Sequence, residues 1–295
     1  MRIPITLSLI IFLLIPVSSE ARVIHREKSL YSNILIDQKD SVICLKFSIR
    51  RKKNNQSCID TESPNQFVLE YVRIMMATLA AQEKPKSILM IGMGGGTIPL
   101  ATADLYPETK ITIVEIDPAV LKMAEKYFYF TASSNTKIQV QDGRVFIKRA
   151  IQNKEQFDVV LLDAFNGDYI PEHLLTQEFL YEVRRVLSPD GTVISNTFET
   201  SRLAEHESAT YASVFPNFIT IQSEKRGNRI IVATKSGDKL SLNLDKLSDN
   251  LNNWLLSRNV NAALYQPLIQ NKPKWNKKAR LLTDQYSPAN LLIHR

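Results

Sequence analysis

The sequence predicts an α/β protein built on a doubly wound, mainly parallel sheet, and three observations carry that prediction. From Ser87 to Phe198 short apolar segments alternate with segments of helical spacing, the pattern left by strands joined through crossover helices. A glycine-rich turn, Gly92-Met93-Gly94-Gly95-Gly96-Thr97, follows the first of those strands and opens a helix, so its backbone can approach a ligand and point N–H groups at it. The series closes on two strands, Phe218 to Ser223 and Arg229 to Thr234, joined by the turn residues Arg226-Gly227-Asn228, which places an antiparallel hairpin at the end of the parallel sheet.

Taken in chain order, residues 1–21 read as a leader. Met1 and Arg2 give a positive start, Ile3 to Val17 are almost entirely apolar, and Ser19-Glu20-Ala21 offers small residues to a signal peptidase, with cleavage expected after Ala21. The apolar run is short for a membrane-spanning helix, and no later segment approaches the roughly 18 uninterrupted apolar residues one requires. The mature chain is thus expected to be exported, periplasmic or secreted, without an integral membrane segment. An uncleaved leader makes it membrane-anchored instead.

Residues 22–62 read as a small β region. Cys44 and Cys58 lie in two short apolar segments, Val42 to Ile49 and Cys58 to Ile59, separated by a polar run, which is a hairpin pattern. In an oxidising compartment a cross-strand disulfide there closes a loop of about 15 residues and stabilises by roughly 3 kcal/mol in the chain-entropy treatment. Two free buried thiols are the alternative. Arg50-Arg51-Lys52-Lys53 is then the solvated tip of the hairpin.

Residues 63–240 read as the main domain. Ser63, Pro64 and Gln66 suggest a helix start with a capping box, and Phe67, Val68, Tyr71, Met75 and Leu79 continue at helical spacing. Strands are then expected at Ser87 to Ile91, Lys110 to Ile116, Lys137 to Gln141, Phe157 to Asp163 and Thr192 to Phe198. The helices between them are Thr97 to Tyr106, one from Pro118 capped by Asp117, Arg144 to Gln152, and Gln177 to Leu187. Residues 241–295 read as a helical and irregular extension packed on this domain, with an amphipathic helix from Leu244 to Leu256. The basic stretch Lys272 to Lys278 carries a single aromatic and reads as a solvated connection rather than a stacking groove.

Composition removes several classes. With 44% hydrophobic residues, 23% charged, 9 Gly and 13 Pro, the chain is neither disordered, collagen-like nor a disulfide scaffold. The balance of 37 Lys and Arg against 30 Asp and Glu gives +7, a weak preference for anionic partners, and no nucleic-acid partner is expected. His25, His173, His206 and His294 are scattered without metal-ligand spacing and there is no C-x-x-C pair, so no metal is expected. His173 is read as a helix-start contact, with polarisation of a substrate near Asp168 as the sharper alternative. A hydrolase elbow, G-x-S-x-G, is missing.

Four motifs fall at the ends of four consecutive strands. The glycine turn ends the first; its sixth position is Thr97 rather than Gly or Ala, which counts against a dinucleotide. Glu115 ends the second, where a carboxylate can accept from the two hydroxyls of a ribose. Asp142-Gly143 ends the third, where an acid can meet an adenine amino group and the glycine lets the base lie close. Asp163 ends the fourth, at the rim where open α/β sheets bind ligands. Each acid alone reads equally as a helix cap or surface charge; the joint placement points to a nucleoside.

From Ile88 to Phe198 the set resembles the spermidine synthase-like branch of the class I S-adenosylmethionine-fold transferases. The residues that carry the resemblance are Ile91 to Pro99, Val114-Glu115-Ile116-Asp117-Pro118, Asp142-Gly143, and Asp163-Ala164-Phe165-Asn166-Gly167-Asp168-Tyr169-Ile170-Pro171. His173 to Thr176, and Leu282-Thr283-Asp284 with Pro288, extend it. The resemblance implies a Rossmann-like, seven-stranded sheet of methyltransferase type with a terminal antiparallel hairpin. It implies that Gly92, Gly94, Gly95, Gly96 and Glu115 hold the nucleoside, that Asp142 and Gly143 meet the adenine, and that Asp163 is catalytic and receives the attacking amine. Tyr71 takes the place of an aromatic beside the amine, and Asp168 is a second substrate contact. The co-substrate implied is decarboxylated S-adenosylmethionine or S-adenosylmethionine, the acceptor a small amine or polyamine, and the assembly a homodimer.

Two positions depart from the family. Gly95 and Asn166 stand where aminopropyltransferases carry Asp, so two acidic contacts to cationic groups are missing unless Asp168 or Glu172 replaces them. The Gly-Gly-Gly variant is similar to that of a relative that methylates protein amines. Methyl transfer is therefore the second reading, an exported nucleoside- or polyamine-binding relative without catalysis the third, and a dehydrogenase the last.

Overall fold

The structure, a computed structural model, describes residues 21–47, 55–82, 84–164, 171–199, 202–222, 227–237, 240 and 242–293. The leader through residue 20, the tip Arg50 to Lys53, and Asn166 and Asp168 lie outside the described residues. No helix among the described residues is long and apolar enough to cross a membrane.

The chain starts with a four-stranded antiparallel sheet in sequence order: β1 (Arg22–Lys28), β2 (Asn33–Lys39), β3 (Val42–Lys46) and β4 (Ser57–Asp60). Cys44 faces Cys58 across the β3–β4 ladder and the two are joined in a disulfide, the first of the two alternatives. Helix α1 (Glu70–Ala80) follows. It begins later than the capping box suggested. Ser63 is in a turn, its carbonyl accepting from Gln66 N–H at 2.9 Å, and Phe67 N–H donates to the Arg258 carbonyl at 3.1 Å. That long-range tie holds the chain extended until Leu69, which caps α1 without a side-chain hydrogen bond.

The main sheet is composed of β5 (Ser87–Ile91), β6 (Lys110–Glu115), β7 (Thr136–Val140), β8 (Phe157–Leu162), β9 (Leu187–Phe198), β10 (Phe218–Gln222) and β11 (Asn228–Thr234). Their spatial order is β7-β6-β5-β8-β9-β11-β10. The first five run parallel, while β11 and β10 are antiparallel to their neighbours. The two-residue strand β12 (Ile269–Gln270) adds to the β10 edge, so seven predicted strands become eight. Helices α2 (Thr97–Leu105), α3 (Pro118–Tyr127), α4 (Gly143–Gln152), α5 (Gln177–Val186) and α6 (Arg202–Val214) supply the crossovers and covers. In the C-terminal extension come α7 (Asp249–Leu256) and α8 (Ala289–Ile293). Helix α7 is shorter than the expected span from Leu244, because Leu244 N–H donates to the Gln266 side chain at 2.6 Å and leaves the helical path.

Strand alternation divides the core into two layers. Ile88, Met90, Ile111, Ile113, Val159 and Leu161 face α1, α2, α3 and the small N-terminal sheet. Leu89, Ile91, Val114 and Val160 face α4, α5 and α6. Strand order reverses between β5 and β8, with β6 on one side and β9 on the other. The crevice outside the carboxyl ends of β5 and β8 is where a doubly wound sheet places its ligand.

Candidate active site

At that crevice lies a cleft of about 250 Å³. Its floor comes from the ends of β5, β6 and β8, and its outer wall from the small N-terminal sheet.

Gly92 closes the floor. It has φ +91°, and a β-carbon there would lie 2.3 Å from the Asp163 carbonyl oxygen. Its N–H donates to Val114 at 2.8 Å, while Asp163 N–H donates to Ile91 at 2.9 Å. Three strand ends are thus tied together by a residue that needs both a left-handed backbone and no side chain. Gly94 also lines the cleft, beside Met93. Gly95 and Gly96 are not among the lining residues and serve close packing: a β-carbon at 95 would meet Phe128 at 2.7 Å and the Ser57 hydroxyl at 2.8 Å, and one at 96 would meet Phe130 at 2.5 Å. The volume that an acidic side chain at position 95 would need is therefore filled by Phe128 and Ser57.

Glu115 is buried, with one oxygen accepting from Met93 N–H at 3.1 Å and the other from Asp117 N–H at 3.0 Å. Burial pushes its carboxyl above the ordinary value against the pull of those N–H groups. The second lone pair of each oxygen is left for a ligand hydroxyl. Asp142 caps α4 through Val145 N–H at 2.8 Å and pairs with His173 Nε2 at 2.9 Å; the His173 hydrogen bond leads the effects that lower its carboxyl. His173 lines the cleft on this Asp142 side, so it is both a wall residue and the partner of the predicted adenine contact. Gly143 lets α4 close onto β5, since a β-carbon would lie 2.5 Å from Ile91.

Asp163 receives Asn196 Nδ2 at 2.9 Å on one oxygen and lies 3.4 Å from the Tyr71 hydroxyl on the other. Burial raises its carboxyl to about 7, outweighing both hydrogen bonds, and the charge of Glu115 adds to the rise. The Tyr71 phenol is raised well above its usual value by burial and by Asp163. Its hydroxyl also donates to the Gln56 carbonyl at 3.0 Å. Asn196 is held in turn by Asn228 Nδ2 on its oxygen, which fixes its amide with the nitrogen toward Asp163.

The structure brings Tyr71, Gly92, Gly94, Glu115, Asp142, Gly143 and Asp163 to one cleft. Asn196 and the wall residues Tyr31, Ser32, Phe47 and Gln56 were not anticipated. Ser29, two residues before Tyr31, donates to Asp117 at the cap of α3, which pins the β1–β2 turn over the cleft. The charged residues lining the cleft are Glu115, Asp117, Asp142 and Asp163, with no Lys or Arg among the described lining residues. Such a lining attracts a cationic ligand.

The sequence matches the family described as "Spermine/spermidine synthase domain" over residues 70–222. A polyamine aminopropyltransferase of Vibrio vulnificus (strain CMCP6) is 43% identical over 289 residues, covering 97% of this chain and 96% of that protein. Among solved structures, a probable spermidine synthase from Corynebacterium glutamicum ATCC 13032 superposes with TM-score 0.66 at 21% identity, over 89% of this chain and 97% of that one. Human methyltransferase-like protein 13 in complex with SAH does so with TM-score 0.54 at 25% identity, over 71% and 96%.

Proposed function

The chain belongs to the spermine/spermidine synthase family, and from that premise we propose that its cleft moves an aminopropyl group from decarboxylated S-adenosylmethionine to a polyamine. The acidic lining carries this choice over methyl transfer. Four carboxylates, with no Lys or Arg among the described lining residues, suit a decarboxylated sulfonium donor together with an ammonium acceptor. The carboxylate of S-adenosylmethionine would meet no Lys or Arg among those described residues.

Each residue then has a task. Glu115 accepts from the ribose hydroxyls, Asp142 from the adenine amino group, and the backbone at Gly92 and Gly94 lies along the nucleoside. Asp163 and Tyr71 hold the acceptor. The new bond joins the acceptor nitrogen to the propyl carbon as the carbon–sulfur bond breaks, and the electron pair leaves with sulfur in methylthioadenosine. The nitrogen must shed a proton on the way, and Asp163, whose carboxyl sits at about 7, is matched to take it near neutral pH. Asn196 and Tyr71 keep its two oxygens oriented, so the proton is received at a fixed place. Asp168 is proposed as a further acceptor contact from its sequence position alone.

A second reading rests on Gly95. With Phe128 and Ser57 occupying the space of the family's acid, the donor amino group lacks that contact, as in the methyl-transferring relative. One experiment separates the two: the full chain is incubated with a polyamine and either donor, and the products are weighed by mass spectrometry. An aminopropyl mass increment with methylthioadenosine supports the first reading. A methyl increment from S-adenosylmethionine alone sinks it. Export after cleavage at Ala21 and a homodimer are proposed on the leader pattern and the family likeness, to be checked by N-terminal sequencing and sedimentation.

A further inference from the structure

The two cysteines have no part in the transfer chemistry, yet their disulfide stands two residues from the cleft wall. Cys58 faces Cys44, and beside it Ser57 faces Leu45, on the small-sheet ladder; Gln56 N–H continues that ladder by donating to the Leu45 carbonyl at 2.9 Å. Strand β4 is four residues long and, among the described residues, forms the edge of its sheet, paired with β3 alone. So short an edge strand has few ladder bonds to hold it in place, which makes the covalent link to β3 its firmest anchor.

Contacts run from that anchored segment into the site. The Gln56 carbonyl accepts the Tyr71 hydroxyl at 3.0 Å, and the same hydroxyl lies 3.4 Å from Asp163. One proton serves two acceptors, so where Gln56 sits decides how the hydroxyl is shared with the carboxylate. Ser57 is buried against the glycine turn: its β-carbon lies 3.5 Å from where one on Gly94 would be, and its hydroxyl is 3.5 Å from that of Thr97 at the start of α2. Phe47, just past the end of β3, and Gln56 both line the cleft.

We propose that the Cys44–Cys58 crosslink is a positioning element of the transferase site, holding Gln56 and Ser57 against Tyr71 and the glycine turn so that the oxidised protein binds its amine more tightly than the reduced one. This rests on the assignment of the Tyr71 and Asp163 end of the cleft to the amine. A crosslink that only stabilises the chain lowers the melting temperature when broken and leaves the affinity of the folded protein unchanged. The positioning role predicts a change in affinity that passes through one hydroxyl.

The test uses the full chain before and after dithiothreitol, which closes to its cyclic disulfide as Cys44 and Cys58 become thiols. Thiols are titrated in denaturant, and the affinity for 1,4-diaminobutane is measured by calorimetry with methylthioadenosine present, below the melting temperature of each form. Reduction is expected to weaken diamine binding roughly five- to tenfold, the size of one hydrogen bond, and re-oxidation to restore it. Tyr71→Phe is expected to weaken the oxidised protein by a similar factor and to abolish the further effect of reduction, because both changes act on one path. Equal affinity in the two redox states, losses that multiply in the reduced variant, or two free thiols in the purified protein overturn the proposal. Should the reduced protein not fold, wild-type affinity in oxidised Tyr71→Phe overturns it. Undetectable diamine binding in the oxidised form does so as well. None of these readings needs turnover, so a protein that binds the diamine in this redox-dependent way yet transfers no aminopropyl group counts against the transferase reading alone.

Discussion

Gly92 and Asp163 are packed backbone against backbone, so closely that a β-carbon on the first would lie 2.3 Å from the carbonyl oxygen of the second. The glycine that ends β5 thus sets the position of the acid that ends β8. Gly92→Ala meets this contact and also the φ of +91°, which alanine adopts at a cost. Backbone cannot yield as a side chain can, so strain and overpacking together should destabilise by about 2–4 kcal/mol. Displacing Asp163 by as little as ~1 Å should lower turnover about 100-fold. Urea unfolding and kcat measured on the same preparation check this, and a variant with wild-type turnover would show that Asp163 is placed by something else.

Asp163 itself ties activity to pH. Its folded pKa of about 7 lies above the unfolded value, so the stability it contributes is present at low pH and lost as pH rises through 7. Asp163→Asn keeps groups that can meet both Asn196 and Tyr71 and never ionises. The variant's melting temperature should gain on the wild type's from about pH 4 upward, its lead growing by several degrees between pH 5 and pH 8, equivalent to about 1–3 kcal/mol, while turnover is lost. In the wild type, kcat/KM should climb across pH 7 as the carboxylate becomes able to take a proton. An acid limb centred near pH 4 would rule out the proton-accepting role.

What was legible in the sequence follows from range. Glu115, Asp142 and Asp163 each end a strand whose apolar pattern is local, so their meeting at one rim follows from the parallel alternation itself. The same rule reaches Asn196, near the end of β9, but an amide between Ser195 and Thr197 gives no signal until its partner is known. Helix α1 starts later than its local signal because the cap offered by Ser63 and Gln66 is overridden by Phe67 bonding to Arg258, far along the chain. The cleft wall from Tyr31, Phe47 and Gln56 depends on how one sheet docks on another, which no short-range pattern encodes.

Restoring the family's acid at position 95 should not by itself restore its contact. Gly95→Asp drives a β-carbon to 2.7 Å from the Phe128 ring and 2.8 Å from the Ser57 hydroxyl, an overpacking of about 1–3 kcal/mol, and the donor KM should not fall. Phe128→Leu opens part of that space. The double variant should be less destabilised than the two single changes added together, and it should bind decarboxylated S-adenosylmethionine more tightly than Phe128→Leu alone. Melting temperatures and donor KM across the four proteins decide the matter. A tenfold lower KM in Gly95→Asp with an unchanged melt would mean that Phe128 and Ser57 do not fill the site.

His173 should act on the nucleoside end alone. Its Nε2 lies 2.9 Å from Asp142 Oδ2, and that hydrogen bond is the first cause of the depressed Asp142 carboxyl. A depressed carboxylate contributes stability above its unfolded pKa and loses it as pH falls through the folded one, so His173→Ala should begin acid unfolding at a slightly higher pH. With one oxygen of Asp142 no longer held, methylthioadenosine and the donor should bind roughly three- to tenfold more weakly. At saturating donor kcat should stay near wild type, because Asp163 has its own partners in Asn196 and Tyr71. His173→Gln, which can offer an N–H toward the same oxygen, should recover much of the donor affinity. Calorimetry with methylthioadenosine and steady-state kinetics on both variants test the point, and a fall in kcat with unchanged donor KM would place His173 in the chemistry instead of at the base.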